Sequence, residues 1–288
     1  MTARIAIVTT RDLPVPDADE DLLLPHLPEA ALVAWEDPDV DWAAFDVAIL
    51  RSTWNYHDRL DEFLAWARAT AEVTRLVNPV ATVEWNTDKR YLADLAAAGI
   101  PVVPTTFVAP GDPVPADAVV ALGGHLVVKP SVGAGSNGAQ LFDGDAAAAG
   151  AHVAELHRQG KVAMLQPYLA EVDTAGETAL IYLGGRFSHA ARKAAILSRD
   201  MSWETGLYAD EKVAATVATP AERVLADRVI AALPGLGHPD LAYVRVDLLP
   251  AAQGPVLLEL ELTEPSLFLA LGEGAPERAA DAFRALLT

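Results

Sequence analysis

The segment LVVKPSVGAGSNGAQL, residues 126–141, joins a short apolar run to a lysine and a glycine-rich loop. Leu126, Val127 and Val128 predict a buried strand that delivers Lys129 at its end. Gly133, Gly135 and Gly138 permit backbone conformations and close approaches that side chains would block, and Ser136 adds a hydroxyl donor. A cation beside such a loop suits a polyphosphate, which suggests a nucleotide. The same residues, 133 to 138, satisfy G-x-G-x-x-G, but a dinucleotide turn should open the fold and run straight into a helix. Here Ala139 to Phe142 predict a short returning strand, the next helical pattern begins near Asp145, and the loop lies near mid-chain. A dinucleotide-dependent oxidoreductase is therefore the weaker reading.

The second informative stretch lies near the end of the chain. YVRVDLLP (243–250) and PVLLELELTEPS (255–266) predict two antiparallel strands joined at residues 251–254. Asp247 is embedded among Val246, Leu248 and Leu249. Glu259 and Glu261 are two residues apart in a leucine-rich run, so both project from one face of their strand. Like charges side by side on a buried strand are costly unless a cation neutralises them. Three carboxylates without cysteine or a histidine cluster form an all-oxygen donor set, suited to Mg²⁺ or Mn²⁺ and to a nucleotide's phosphates. An amphipathic edge strand with its acids in water would give the same alternation. Arg245 is placed to serve the phosphates or a substrate carboxylate.

Other candidates fall between these stretches. Residues 4–10, 31–35 and 46–50 predict three strands of an α/β lobe, with only a two-turn helix between the first two. Prolines 14, 16, 25 and 28 limit its length. Arg51-Ser52-Thr53-Trp54-Asn55-Tyr56-His57 then lies at the carboxyl edge of the expected parallel sheet, where Arg51 could grip a carboxylate. A helix over 60–75 carries Phe63, Leu64 and Trp66 at core spacing. Asn86-Thr87-Asp88 predicts the start of a helix over 89–98, and Lys89 in its first turn is unfavourable unless it holds a phosphate. A strand is expected over 101–108 and a helix over 145–159.

The strand 161–169 ends in Gln166-Pro167-Tyr168-Leu169, a linker whose exposed backbone can read an adenine edge. Glu171, Asp173 and Glu177 can accept hydrogen bonds from ribose hydroxyls. Strands 178–183 and 186–192, meeting at Gly184-Gly185, place Arg192 and Lys193 against whatever the sheet faces. Residues 196–212 lack a consistent period and suit a substrate-covering flap. Helices over 220–233 and 276–287 complete the pattern.

Composition narrows the classes. A length of 288 residues with 52% hydrophobic and 21% charged residues allows two or three lobes of a globular enzyme. A formal net charge of -19 argues against a nucleic-acid partner and requires a locally basic pocket for an anionic nucleotide. The absence of cysteine rules out disulfides, thiolate nucleophiles and thiolate-bound metals. No apolar run reaches membrane-spanning length and no signal-peptide core is seen, so the expectation is a cytoplasmic protein with no membrane partner.

The order NTDKRYLADLAAAGIPVVPT (86–105), LVVKPSVGAGSNG, MLQPYL with GET, RVDLL and LELELTEPS resembles the ATP-grasp superfamily, most closely its glutathione-synthetase and D-alanine–D-alanine-ligase branch. The resemblance implies an α/β (α+β) fold of three lobes, 1–85, 86–165 and 166–288, with ATP clamped between the second and third. By that likeness Lys89 and Lys129 contact phosphates, Gln166, Pro167, Tyr168 and Leu169 form the adenine hinge, and Glu177, with Asp173 nearby, holds the ribose. Asp247, Glu259 and Glu261 match the Asp, Glu and Asn that hold magnesium, with glutamate in place of the asparagine. RSTWNYHDRLDEF (51–63), WNTDKRYL (85–92) and ELTEPSLFL (261–269) are similar to the subgroup containing the O-ureido-serine cyclo-ligase of D-cycloserine biosynthesis. The implied reaction is ATP-dependent C–N bond formation on an amino-acid-like substrate, oriented by Arg51, Arg192, Lys193 and Arg245. An intermolecular ligase and a non-catalytic nucleotide-binding subunit are the alternatives, and homodimerisation is left open.

Overall fold

The structure is a computed structural model and describes residues 4–13, 17–115, 118, 124–135, 138–194 and 212–287. The expected flap at 196–212 (Lys212 apart) and Ser136 therefore lie outside the described residues, as do Pro14 and Pro16. Three sheets make up the fold. The first is wholly parallel, in the order β2-β1-β3-β4, from β1 (Ile5–Thr9), β2 (Ala30–Ala34), β3 (Val47–Ser52) and β4 (Arg75–Val77). β1 and β3 are buried throughout, as strands covered on both faces must be. Helix α1 (Ala18–Leu23) is short as the prolines require, and Asp17 caps it by accepting from Asp19 N.

Two details of this lobe depart from expectation. Helix α2 (Leu60–Ala71) stops before Arg75, which opens β4 instead. Helix α3 (Val80–Asn86) was not foreseen, so Asn86 ends a helix rather than capping one. The aromatics of α2 pack as predicted: Phe63 and Trp66 meet Trp35 at ring separations of 5.4 and 6.0 Å.

The second sheet is antiparallel, in the order β5-β8-β6-β7: β5 (Thr106–Val108), β6 (His125–Pro130), β7 (Gln140–Asp143) and β8 (Ala163–Pro167). The glycine loop returns as β7, antiparallel to β6, so it is a hairpin connection and not a dinucleotide turn. Gly138 has φ +75°, and a Cβ there would meet the Pro130 ring at 3.1 Å, so the tight return requires glycine. The predicted strand 101–108 is reduced to β5 and one bridge between Val102 and Leu257. Helix α4 (Tyr91–Ala97) precedes this sheet in the chain, and α5 (Ala146–Arg158), capped by Asp145, packs on it.

The third sheet follows the short helix α6 (Val172–Ala175). Its order is β11-β10-β9-β12-β13, from β9 (Glu177–Leu183), β10 (Arg186–Lys193), β11 (Val213–Thr216), β12 (Tyr243–Leu249) and β13 (Val256–Glu261), all antiparallel. One face packs against α4 and α7 (Pro220–Ala232). Thr219 and Glu222 form a reciprocal cap at the start of α7. Helix α8 (Ala275–Arg284) buries Ala279, Ala280 and Phe283 in a core shared by Ile5, Val47 and Tyr243, which joins the first lobe to the third sheet. Asn78 completes that joint: its Nδ2 donates to Tyr243 O and Leu262 O, and its Oδ1 accepts from Ala242 N. No helix among the described residues is long and apolar enough to cross a membrane.

Candidate active site

One cleft between the second and third sheets collects most of the predicted residues. Lys89, Lys129, Gly133, Gly135, Gln166, Pro167, Tyr168, Leu169, Glu177, Lys193, Arg245, Glu259 and Glu261 all line it. The register explains the convergence of the acids. Across the β12–β13 pair Arg245 stands opposite Glu261 and Asp247 opposite Glu259, so all four project from the same face. The alternative of a solvated edge face is thereby excluded.

Lys89 lies between α3 and α4 and not in the first turn of a helix, so the expected dipole misfit does not arise. Its position follows from contacts: its backbone N–H donates to Ser131 O, and Nζ donates to Gly133 O at 2.7 Å and pairs with Glu259 Oε1 at 3.0 Å. One side chain thus ties the glycine loop to β13. Burial works against its charge, but Glu259 outweighs it and holds the ammonium above its ordinary pKa. Lys129 is different. It forms no ion pair among the described residues, and burial pulls its pKa down.

The other bases and acids form one network. Lys193 Nζ pairs with Glu177 and, at 2.9 Å, with Asp247 Oδ2. Arg245 grips Asp247 through Nε and Nη2, at 3.0 and 2.9 Å, and also pairs with Glu261. Burial opposes ionisation of Asp247, yet Arg245 and Lys193 prevail and keep it well below the usual carboxylate range. Glu259 is likewise lowered, with Lys89 and Lys129 outweighing burial. Glu261 is raised by burial and by Asp247 and Glu259, against Arg245. Glu177 is raised by burial and by Asp247, against Lys193.

A hard divalent cation suits the chemistry of these acids, but they are not equally available. As they stand, the described residues contain no group of three or more acids or histidines arranged to hold a metal. Both oxygens of Asp247 are engaged by bases. Glu259 and Glu261 each commit only one oxygen, and their second oxygens have no partner among the described residues. These two glutamates, adjacent on one strand face, fit a cation; Asp247 lies beside them, fully occupied.

The linker after β8 presents backbone at the cleft. Tyr168 N donates to His125 O, so by strand alternation the Pro167 carbonyl turns toward the opposite edge. The Leu169 N–H has no hydrogen-bond partner among the described residues. A donor and an acceptor are thus offered two residues apart. The Gln166 side chain is buried and donates to Thr105 Oγ1 at 2.9 Å.

Arg51, Arg192 and Asp173 lie elsewhere, as does the exposed Glu171. Arg51 is 1% exposed and does not line the cleft. The carboxyl edge of the parallel sheet is covered by the protein's own segment 264–269, and Arg51 Nη2 donates to Pro265 O at 2.6 Å. Arg192 does not line the cleft either; it donates to Ala175 O and lies 3.7 Å from Glu222. Its neighbour Lys193 faces the opposite side of the strand and takes the site position. Asp173 is exposed and accepts from the Tyr168 phenol outside the cleft. Conversely, Trp54, Tyr56, Asn86 and Glu264 line the cleft, although none of them had been assigned to the nucleotide or metal site. Asn86 holds β13 in place through Leu260 O and Leu262 N, each at 2.7 Å.

A glycine-loop sheet and a second antiparallel sheet with an acid-and-base face, closing on one cleft, define an ATP-grasp ligase, an enzyme that uses ATP to form carbon–nitrogen bonds. Over 99% of its length the chain aligns with D-alanine–D-alanine ligase from Bacillus anthracis complexed with ATP, covering 97% of that chain at a TM-score of 0.67 and 14% identity, a likeness of fold. More narrowly, the chain belongs to the D-cycloserine synthetase DcsG family. Residues 5–78 match the N-terminal domain of D-cycloserine synthetase DcsG. It is 41% identical over 266 residues to the cycloserine biosynthesis protein DcsG of Streptomyces lavendulae, covering 88% of this chain and 87% of the relative. The crystal structure of D-cycloserine synthetase DcsG aligns over 99% of both chains, with a TM-score of 0.89 and 38% identity.

Proposed function

We propose that this ligase closes a ring within one amino-acid substrate, O-ureido-serine, in a D-cycloserine-type synthesis. The observation that carries the reading is the convergence of Lys89 and Lys129 with Glu259 and Glu261 on one cleft, in a chain 41% identical to a cycloserine biosynthesis protein. The γ-phosphate of ATP passes to the substrate carboxylate; the nitrogen bonded to the side-chain oxygen then attacks the acyl carbon, loses its proton and expels phosphate, leaving ADP, phosphate and a ring whose nitrogen still bears the carbamoyl group, which water removes as ammonia and carbon dioxide.

The chain's own contribution is positioning and charge neutralisation, with no covalent enzyme nucleophile. Lys129 and Lys89 neutralise phosphate oxygens; Lys129, with no ion pair among the described residues, is the base with most to gain from an anion. Pro167 O and Leu169 N read the adenine edge beside Gln166 and Tyr168, and Glu177 accepts from the ribose hydroxyls. Arg245 and Lys193, held by Asp247, orient the acceptor carboxylate. Glu259 and Glu261 hold Mg²⁺ or Mn²⁺, which when bound supplies charge neutralisation at the phosphates. Residues 1–85 act as the substrate lobe, with 86–165 and 166–288 closing on the nucleotide.

The test is phosphate release with Mg·ATP across D- and L-amino acids, including ureido and aminooxy derivatives. O-ureido-serine should give ADP and a cyclic product, while a dipeptide product would replace cyclisation by intermolecular ligation. Lys129→Ala and Glu259→Gln should each reduce ADP formation to background; wild-type turnover in either refutes the assignment.

A further inference from the structure

Glu264 differs from every other acid lining the cleft. Glu177 is paired with Lys193, Glu259 with Lys89 and Glu261 with Arg245, whereas no lysine or arginine among the described residues forms an ion pair with Glu264. The nearest polar side chain it answers to is instead the phenol of Tyr56, which arrives from the first lobe and lines the same cleft. A phenol carries no charge, so among the described residues only the more distant Lys89 ammonium, already paired with Glu259, favours the charged form of Glu264 at the cleft wall.

This arrangement is held from several sides. Trp54 Nε1 donates to Glu264 O at 3.1 Å, Arg51 to Pro265 O at 2.6 Å, and Arg245 Nη1 to Ser266 O at 3.1 Å. Asp19 accepts from the backbone N–H groups of Leu267 and Leu269 at 2.6 and 2.7 Å. The acid is thus fixed at the junction of the first lobe and the third sheet. Burial, then the nearby Glu261, push its carboxyl up to about 8 against the pull of Lys89, as expected where no ion pair forms among the described residues.

We propose that Glu264 is a specificity residue that receives the free α-ammonium group of the amino-acid substrate, supplying from the protein side the half of an ion pair that the described residues leave open. The proposal rests on the ligase reading above. In the cyclisation the α-ammonium does not react, so anchoring it orients the carboxylate toward the phosphates without engaging the attacking nitrogen. The hydrogen bonds from Trp54, Arg51 and Arg245 to the backbone of residues 264–266 fix where that carboxylate stands.

The experiment compares kcat/KM for O-ureido-serine and for 3-(ureidooxy)propanoate, which keeps both reacting groups and lacks the ammonium, in wild type and in Glu264→Gln, with ATP binding as the check of folding. Wild type should prefer the ammonium-bearing compound by about 10- to 100-fold, the range of a charge-assisted hydrogen bond. Glu264→Gln should lose most of that preference while still binding ATP. An undiminished preference in Glu264→Gln, or no preference in wild type, overturns the proposal. If Glu264→Gln does not fold, Glu264→Asp takes its place: the shorter carboxylate should lower the preference, and an unchanged ratio again overturns it. Wild-type enzyme that turns over neither ureido compound refutes the cyclo-ligase reading itself, and this inference with it.

Discussion

Replacing Glu20 by glutamine should make the protein more stable at pH 8 than the natural chain, although a charged group is lost. Glu20 is 3% exposed in α1, with Ser52 as hydrogen-bond donor and Asp17 nearby. Burial raises its carboxyl from 4.5 to about 7, with the Ser52 hydrogen bond opposing and Asp17 adding to the rise. A folded-state pKa above the unfolded value means that the folded chain binds the proton more tightly. The resulting stability is fully present below about pH 4.5 and is lost as pH rises through about 7. The size of the rise corresponds to roughly 3 kcal/mol lost by pH 8. Glutamine resembles the protonated acid in shape and does not titrate, so the two proteins should coincide near pH 4.5 and diverge above it. Urea denaturation at half-unit steps from pH 4.5 to 8.5 measures this, and subtracting the two curves removes the titration of every other group. Parallel curves, or a variant less stable than wild type at pH 8, would refute the reasoning that burial outweighs the Ser52 hydrogen bond and the Arg51 charge at Glu20.

Three further outcomes follow from the contacts. Asn78→Ala removes three hydrogen bonds between the first lobe and the third sheet at a fully buried position. It should cost about 2–5 kcal/mol in denaturant unfolding, since buried partners are orphaned. Gly176→Ala places a Cβ 2.5 Å from Lys193 O at φ +70°, just before Glu177. It should lower stability by roughly 1–3 kcal/mol and reduce ADP release as β10 and Lys193 shift. Lys89→Met cuts the link between Gly133 O and Glu259. ATP titration should show binding weaker by about 10- to 100-fold; unchanged affinity would remove Lys89 from the phosphate site.

The local pattern of the chain was enough to establish several things. The β-branched run ending in Lys129, the glycines that turn back after it, and the alternation of Glu259 and Glu261 with leucines all follow from periods of two and from glycine's backbone freedom, which neighbouring residues set. The capped helices α5 and α7 were legible for the same reason. Short elements were not: β4 and α3 bury their few residues only against distant strands, so nothing in their own composition marks them.

Which face of β13 meets the cleft was a tertiary matter, decided by its pairing with β12 and by Lys89, 170 residues earlier in the chain. The same holds for Arg51. At the end of a parallel strand it has the chemistry of a ligand contact, yet segment 264–269 covers that edge and takes its guanidinium. Glu264 is the converse case, an acid in an ordinary-looking ELTEPS segment, whose want of an ion pair among the described residues becomes visible only when Tyr56 is brought against it. Sequence determined which groups this protein carries and which lie on a common face. Charge compensation depends on distances between residues far apart in the chain, so only the folded structure decided which of those groups are paired and which are left to bind something else.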